Sequence, residues 1–134
     1  MTTAQSLAQF VNAKYLNLET FRKNAAGVRT PVWFAPSGPI TPGRDDLILY
    51  LYTLPDSGKV KRIRNNARVR IAPCDVRGGV RGEWVDAQAR FAVGAEAEQA
   101  HQLLAKKYWP WKSISRLAGR LVGRKYTIVA LRLV

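Results

Sequence analysis

The residues best equipped for chemistry lie in one run, Asp56-Ser57-Gly58-Lys59-Val60-Lys61-Arg62-Ile63-Arg64-Asn65-Asn66-Ala67-Arg68-Val69-Arg70. From Ser57 to Cys74 the chain carries Lys59, Lys61, Arg62, Arg64, Arg68 and Arg70 and no acid. Asp56 and Ser57 are good helix N-cap types, which predicts a short helix whose first turn starts near Lys59. A helix start presents backbone N–H groups without intrahelical partners, at the positive end of the dipole. Ser57, Lys59, Lys61 and Arg62 around that end would make a phosphate cradle, each charge-assisted bond contributing about 1.5–3 kcal/mol. A solvated basic turn would look the same in sequence, and these residues leave both readings open. Ile63, Ala67, Val69 and Ile71 favour the cradle, because they would anchor the segment and hold its charges in place.

Other reactive side chains are sparse. Cys74 is the single cysteine and His101 the single histidine. No internal disulfide can form, and no zinc-ligand spacing exists, so no metal is expected. His101 falls on a helical stretch with no Ser, Cys or carboxylate beside it to build a catalytic set, and reads as a surface or packing residue. Tyr108-Trp109-Pro110-Trp111 is an aromatic cluster at a helix break, able to line a pocket or plug the end of a barrel. Lys112, Arg116, Arg120 and Arg124 recur every fourth residue as a basic stripe.

The elements that must position these residues read as follows. Ala4 to Phe10 is a short helix with Leu7, Phe10 and Val11 on one side. Tyr15 to Phe21 alternates, with Leu16, Leu18 and Thr20 on one face and Tyr15, Asn17, Glu19 and Phe21 on the other. Arg22 to Gly27 is a polar turn, and Val28 to Ala35 completes a hairpin. Pro31 cannot donate to a ladder, so that strand is bulged or lies at an edge. A bulge would offer backbone groups to a ligand, which makes Arg29, Thr30, Val32 and Trp33 candidates. Pro36 to Gly43 is a loop. Asp46 to Thr53 is a buried third strand, and Arg68 to Pro73 a fourth. Gly78-Gly79 marks a turn. Glu83 to Val93 is a long strand with Val85, Ala87, Ala89 and Phe91 on one face. Glu96 to Tyr108 is helical, Ser113 to Val122 is a further helix, and Tyr126 to Val134 is the last strand. Six strands joined mainly by short turns, with three or four helices, predict a mostly β, α+β fold. The expected form is an antiparallel sheet closed into a barrel, with helices packed outside.

The length of 134 residues suits one domain spanning 1–134 with a real core. Hydrophobic residues make up 47%, which excludes a disordered chain. With 22 Lys+Arg against 9 Asp+Glu, the net charge is +13. Such an excess attracts nucleic acid, anionic lipid or a phosphorylated or carboxylated small molecule without choosing among them. Met1 to Gln5 lacks the basic and apolar regions of a signal peptide, and no apolar run is long enough to span a bilayer. The expectation is a soluble cytoplasmic protein.

The hairpin Tyr15 to Phe21, Arg22-Lys23-Asn24 and Thr30-Pro31-Val32-Trp33-Phe34 resembles the opening of the pyridoxamine 5'-phosphate oxidase-like split-barrel proteins. Ser57 to Asn66 and the strand after it resemble their phosphate-binding region. Within that superfamily the chain is most similar to the small actinobacterial proteins that use the deazaflavin coenzyme F420. The resemblance implies a homodimer of six-stranded split barrels with the cofactor in a groove at the subunit interface. It implies that Ser57, Lys59, Lys61 and Arg62 hold the cofactor phosphate and that Tyr52 and Thr53 border it. The ring would lie against Arg29, Thr30, Pro31 and Val32. The catalytic acid or base is not identified by the resemblance, and FMN is the alternative to F420, with FAD, haem or lipid bound by other members.

F420 continues past its phosphodiester into an oligoglutamate tail, so a cradle plus a separate basic stripe suits it better than FMN. The stripe would meet the tail or a membrane surface, or be a solvated helix face. The resulting expectation is an F420-dependent oxidoreductase passing a hydride to an unsaturated small molecule such as a quinone or conjugated carbonyl, with Trp84, Trp109 or Trp111 capping the substrate. The cofactor supplies the difficult chemistry. The rivals are a cofactor carrier without turnover and a basic nucleic-acid-binding module; the second is disfavoured, since no RNP-like, zinc-finger or helix-turn-helix signature is present.

Overall fold

The computed structural model describes residues 1–108 and 126–134. The expected helix at Ser113–Val122, the basic stripe of Lys112, Arg116, Arg120 and Arg124, and Trp109, Pro110 and Trp111 lie outside the described residues.

Alternating apolar residues produce the sheet. Strands β1 (Tyr15–Phe21), β2 (Gly27–Trp33), β3 (Ala35–Pro36), β4 (Ile48–Thr53), β5 (Arg68–Cys74), β6 (Val85–Ala92) and β7 (Thr127–Leu133) pair antiparallel in the order β2-β1-β5-β6-β7-β4-β3. One face of each long strand supplies the barrel interior: Leu16 and Leu18, Leu49 and Leu51, Val69 and Ile71, Ala87 and Ala89, Val129 and Leu131. The period-2 pleat sends these residues inward together.

The sheet has seven strands, not the expected six. The run read as one strand, Val28 to Ala35, divides at Phe34. Its first part pairs with β1 and its second with β4, at opposite ends of the strand order. One residue therefore bridges the two sheet edges and carries the sheet round on itself. Pro31 stands opposite Asn17 in an unbroken β1–β2 register running from Tyr15↔Trp33 to Phe21↔Gly27. It occupies an edge strand, and the alternative of a bulge is not realised.

Helix α1 (Thr3–Ala8) begins in a capping box in which Thr2 and Gln5 satisfy each other's backbone N–H. It sets Leu7 and Phe10 into the barrel, Phe10 meeting the Phe34 ring edge to face at 5.7 Å. Val11, expected on the same apolar side, is 57% exposed, because the chain leaves the helix before reaching it.

Helix α3 (Gly94–Lys107) packs outside β3, β4 and β7, burying Ala100 and Leu104 against Ala35, Tyr50, Ile128 and Ala130. Glu96 in its first turn receives both guanidinium nitrogens of Arg90, each at 2.7 Å, and the Tyr50 hydroxyl at 2.8 Å. At its far end the Tyr108 hydroxyl accepts from the Phe34 N–H at 3.0 Å and faces the carbonyls of Phe34 and Lys14. That clasp fixes the backbone where the strand changes partner. No described helix is long and apolar enough to cross a membrane.

Candidate functional site

Helix α2 (Gly58–Asn65) builds the centre of the site. It begins one residue before the expected Lys59, with Ser57 as N-cap in extended conformation. The Ser57 hydroxyl accepts from the Val60 N–H at 3.3 Å and lies 3.2 Å from the Thr53 hydroxyl at the end of β4. The first-turn N–H groups of Gly58 and Lys59 have no partner within the helix. Val60 and Ile63 are buried and seat the helix on the barrel, contributing about 1.5–3 kcal/mol each.

That seating sorts the charges. Lys59 and Arg62 are three apart and share a flank, while Lys61 falls on the other side at 100° per residue. Arg62 Nε donates to Thr20 Oγ1 on β1 at 2.7 Å. Its guanidinium then folds back over the helix start, where a Cβ at Gly58 would come within 2.7 Å of Nη1. Lys59 is half-buried beside it; burial first, and the Arg62 charge second, hold its ammonium below the usual lysine range. Among the described residues no carboxylate pairs with Lys59, Lys61 or Arg62, and Asp56, next to the N-cap, is exposed. The sequence grouped Lys61 with the cradle, whereas the structure leaves it exposed on the far flank.

The remaining candidates fall on two faces. Thr30 and Val32 point to the barrel side with Thr20, as the register with Leu18 and Leu16 requires, and Thr53 is buried on the same side. Arg29 and Pro31 point outward with Glu19 and Asn17. Tyr52 also points outward, its ring 6.4 Å from Trp33 and 4.8 Å from Tyr126. β2 is the first strand in the sheet order, so alternate backbone groups along its outer side lack a ladder partner among the described residues. The groups around the α2 start that are not fully buried are Ser57, Lys59 and Arg62, with Thr20 and Thr53 buried behind them.

Arg29 has another engagement. Its Nε donates to the buried Glu19 at 2.8 Å, and its guanidinium lies 4.5 Å from the centre of the Trp84 ring. Arg70 approaches the other Glu19 oxygen at 3.6 Å and the same ring at 5.6 Å. Trp84, expected to cap a substrate, is thus committed to this outer arginine cluster. Thr20 was not singled out in the sequence; its signal was a hydroxyl at an inward position otherwise held by Leu16 and Leu18. Among the described residues no group of three or more His, Cys, Asp or Glu side chains could hold a metal ion.

No protein-family model matches this sequence, and no curated protein matches it. Solved structures do match. A protein of Listeria innocua provisionally named a pyridoxamine 5'-phosphate oxidase shares 12% identity, with 98% of this chain and 92% of that one covered and a TM-score of 0.62. General stress protein 26 of Bacillus anthracis shares 18% over 99% of this chain and 90% of its own, with a TM-score of 0.60. HutZ, the haem storage protein of Vibrio cholerae, shares 12% over 100% and 92%, with a TM-score of 0.65. The chain shares the fold of these solved structures, a mostly β, α+β architecture built on one antiparallel sheet.

Proposed function

We propose that this protein binds a phosphorylated redox coenzyme in the slot between β2 and α2 and is an oxidoreductase that passes a hydride to an unsaturated small molecule. The coenzyme we propose first is F420, with FMN as the alternative. A quinone or conjugated carbonyl suits the acceptor, because a flat ring accepts a flat partner on its open face. The observation that carries the reading is the pairing of Lys59 and Arg62 beside the α2 start, with no carboxylate among the described residues to neutralise them. Two cations forced together at a half-buried position destabilise each other, and an anion between them relieves both.

When bound, the coenzyme would supply the ring atom that gives or takes the hydride, a carbon in F420 and a nitrogen in FMN. The chain's own part is narrower. Gly58 and Lys59 N–H groups, with the Lys59 and Arg62 side chains, hold the phosphate. Thr20 orients Arg62, and Thr53 orients Ser57. The free edge of β2 near Thr30 to Val32 offers main-chain groups to the ring edge. F420 stands ahead of FMN because its oligoglutamate tail gains from a net charge of +13. Lys112, Arg116, Arg120 and Arg124 are the candidates for that tail. We propose a homodimer in which a second copy covers the slot.

A cofactor carrier is the second reading, favoured by the likeness to a haem storage protein. Titration of the purified protein with F420, FMN, FAD and haem, followed by tryptophan emission, separates the two. Saturable F420 or FMN binding and reoxidation of the reduced cofactor by a quinone support the enzyme. Haem binding with no affinity for either phosphorylated ring overturns it.

A further inference from the structure

We infer a second ligand site, for a small apolar organic anion, at the end of β1 opposite the phosphate cradle. It is a cavity of about 520 Å³ between the segment after α1 and the C-terminal end of β5. Ligand pockets of small-molecule size span roughly 300–1,000 Å³. From Thr20, at the cradle, to Tyr15, at this cavity, is five strand residues, roughly 17 Å at about 3.4 Å each. The two sites are therefore separate, and this one does not depend on the coenzyme reading.

The wall is mostly apolar: Val11, Ala13, Tyr15, Pro73, Cys74 and Val76. Two of these are left in water, Val11 at 57% and Val76 at 63% exposed, and Val80, at 42%, bridges to Cys74 beside them. Exposed large apolar side chains gathered on one concavity mark a binding surface rather than scatter. The rim carries Lys14 and Arg81. Among the described residues Lys14 has no carboxylate partner, while Arg81 approaches Asp75 at 3.6 Å. Asp75 is largely spent on its own turn, accepting from the N–H groups of Arg77 at 2.9 Å and Gly79 at 2.8 Å. An apolar body with one carboxylate matches such a wall: the body covers the valines and the carboxylate meets Lys14. A neutral apolar molecule would leave that ammonium unpaired, and a sugar or nucleotide would leave the valines wet.

Cys74 reports on this site. It is the single cysteine of the chain, it is buried, and it lines the cavity. The test uses naphthalene-2-carboxylate and decanoate as probes, with neutral naphthalene as control, on the full chain. Backbone amide and Cys74 side-chain shifts are followed by NMR at rising probe concentration. Expected are saturable shifts centred on Tyr15, Cys74 and Val76 with the carboxylates. Lys14→Gln, at an exposed position, should weaken the carboxylates about fivefold and leave naphthalene unchanged. Val76→Asp should abolish the shifts without altering coenzyme titration. The proposal is overturned if no carboxylate shifts these residues, or if Lys14→Gln affects the carboxylates and naphthalene alike. It is overturned equally if the shifts follow protein concentration instead of probe, which would assign the patch to a second copy.

Discussion

At the scale of single residues, Lys59 and Lys61 make a controlled pair. They are two positions apart on one helix and carry the same charge, yet only Lys59 shares the Arg62 flank. Lys59→Ala should weaken a phosphorylated coenzyme about tenfold or more, from the loss of about 1.5–3 kcal/mol. Lys61→Ala should change affinity by less than about twofold, as a surface charge does. Titration of both variants with F420 and FMN checks this, and equal losses would remove the cradle. Proton linkage adds a second signature. Burial and Arg62 lower the Lys59 ammonium in the free protein, and an anion raises it again. Binding should then take up a proton as pH rises through the lowered value, and affinity should fall there, before an ordinary lysine near about 10.4 would titrate. Calorimetry over a pH series in two buffers of different ionisation heat measures that uptake, and Lys59→Arg should abolish it.

At the scale of elements, α3 is tied to the barrel by Glu96 in addition to its apolar face. The Arg90 hydrogen bonds first, then that of Tyr50, hold the Glu96 carboxyl at about 2. A carboxyl depressed below its unfolded value of about 4.5 stabilises the fold above that pH. The contribution fades as pH falls from about 4.5 to about 2. Arg90 and Glu96 are partly in water, so solvent screening limits the pair. Glu96→Gln should cost about 1 kcal/mol at neutral pH, and the difference from the unaltered protein should vanish near about pH 2 in urea denaturation. The elements themselves were largely legible. The period-2 runs located the long strands, and Leu7 and Phe10 marked the buried side of the first helix. What the pattern hid is the change of partner at Phe34, because alternation continues through it and only pairing distinguishes β2 from β3. The site was half legible for a similar reason. Ser57 and the basic run pointed to α2, but Lys61 was separated from Lys59 only by the burial of Val60 and Ile63. Arg29 was a candidate because a bulge at Pro31 would offer its strand to a ligand; its bond to Glu19, ten residues away, comes only from the hairpin register.

At the scale of the whole molecule, the net charge of +13 sets two effects of salt against each other. Like charges crowded on a small barrel repel, so screening should stabilise the fold. The same screening should weaken a polyanionic ligand. Raising salt from about 0.02 M to about 0.5 M shortens the Debye length several-fold. The melting temperature should therefore rise while affinity for F420 falls. A local cradle and a diffuse positive field separate in this experiment. If Lys59 and Arg62 act at contact, the loss caused by Lys59→Ala persists at high salt, because a half-buried pair is screened little. If the oligoglutamate tail is held only by the field, the advantage of F420 over a tail-less form disappears at high salt. Binding that collapses at high salt for F420, FMN and the Lys59→Ala variant together would mean that overall charge, and not the helix start beside Arg62, draws the anion.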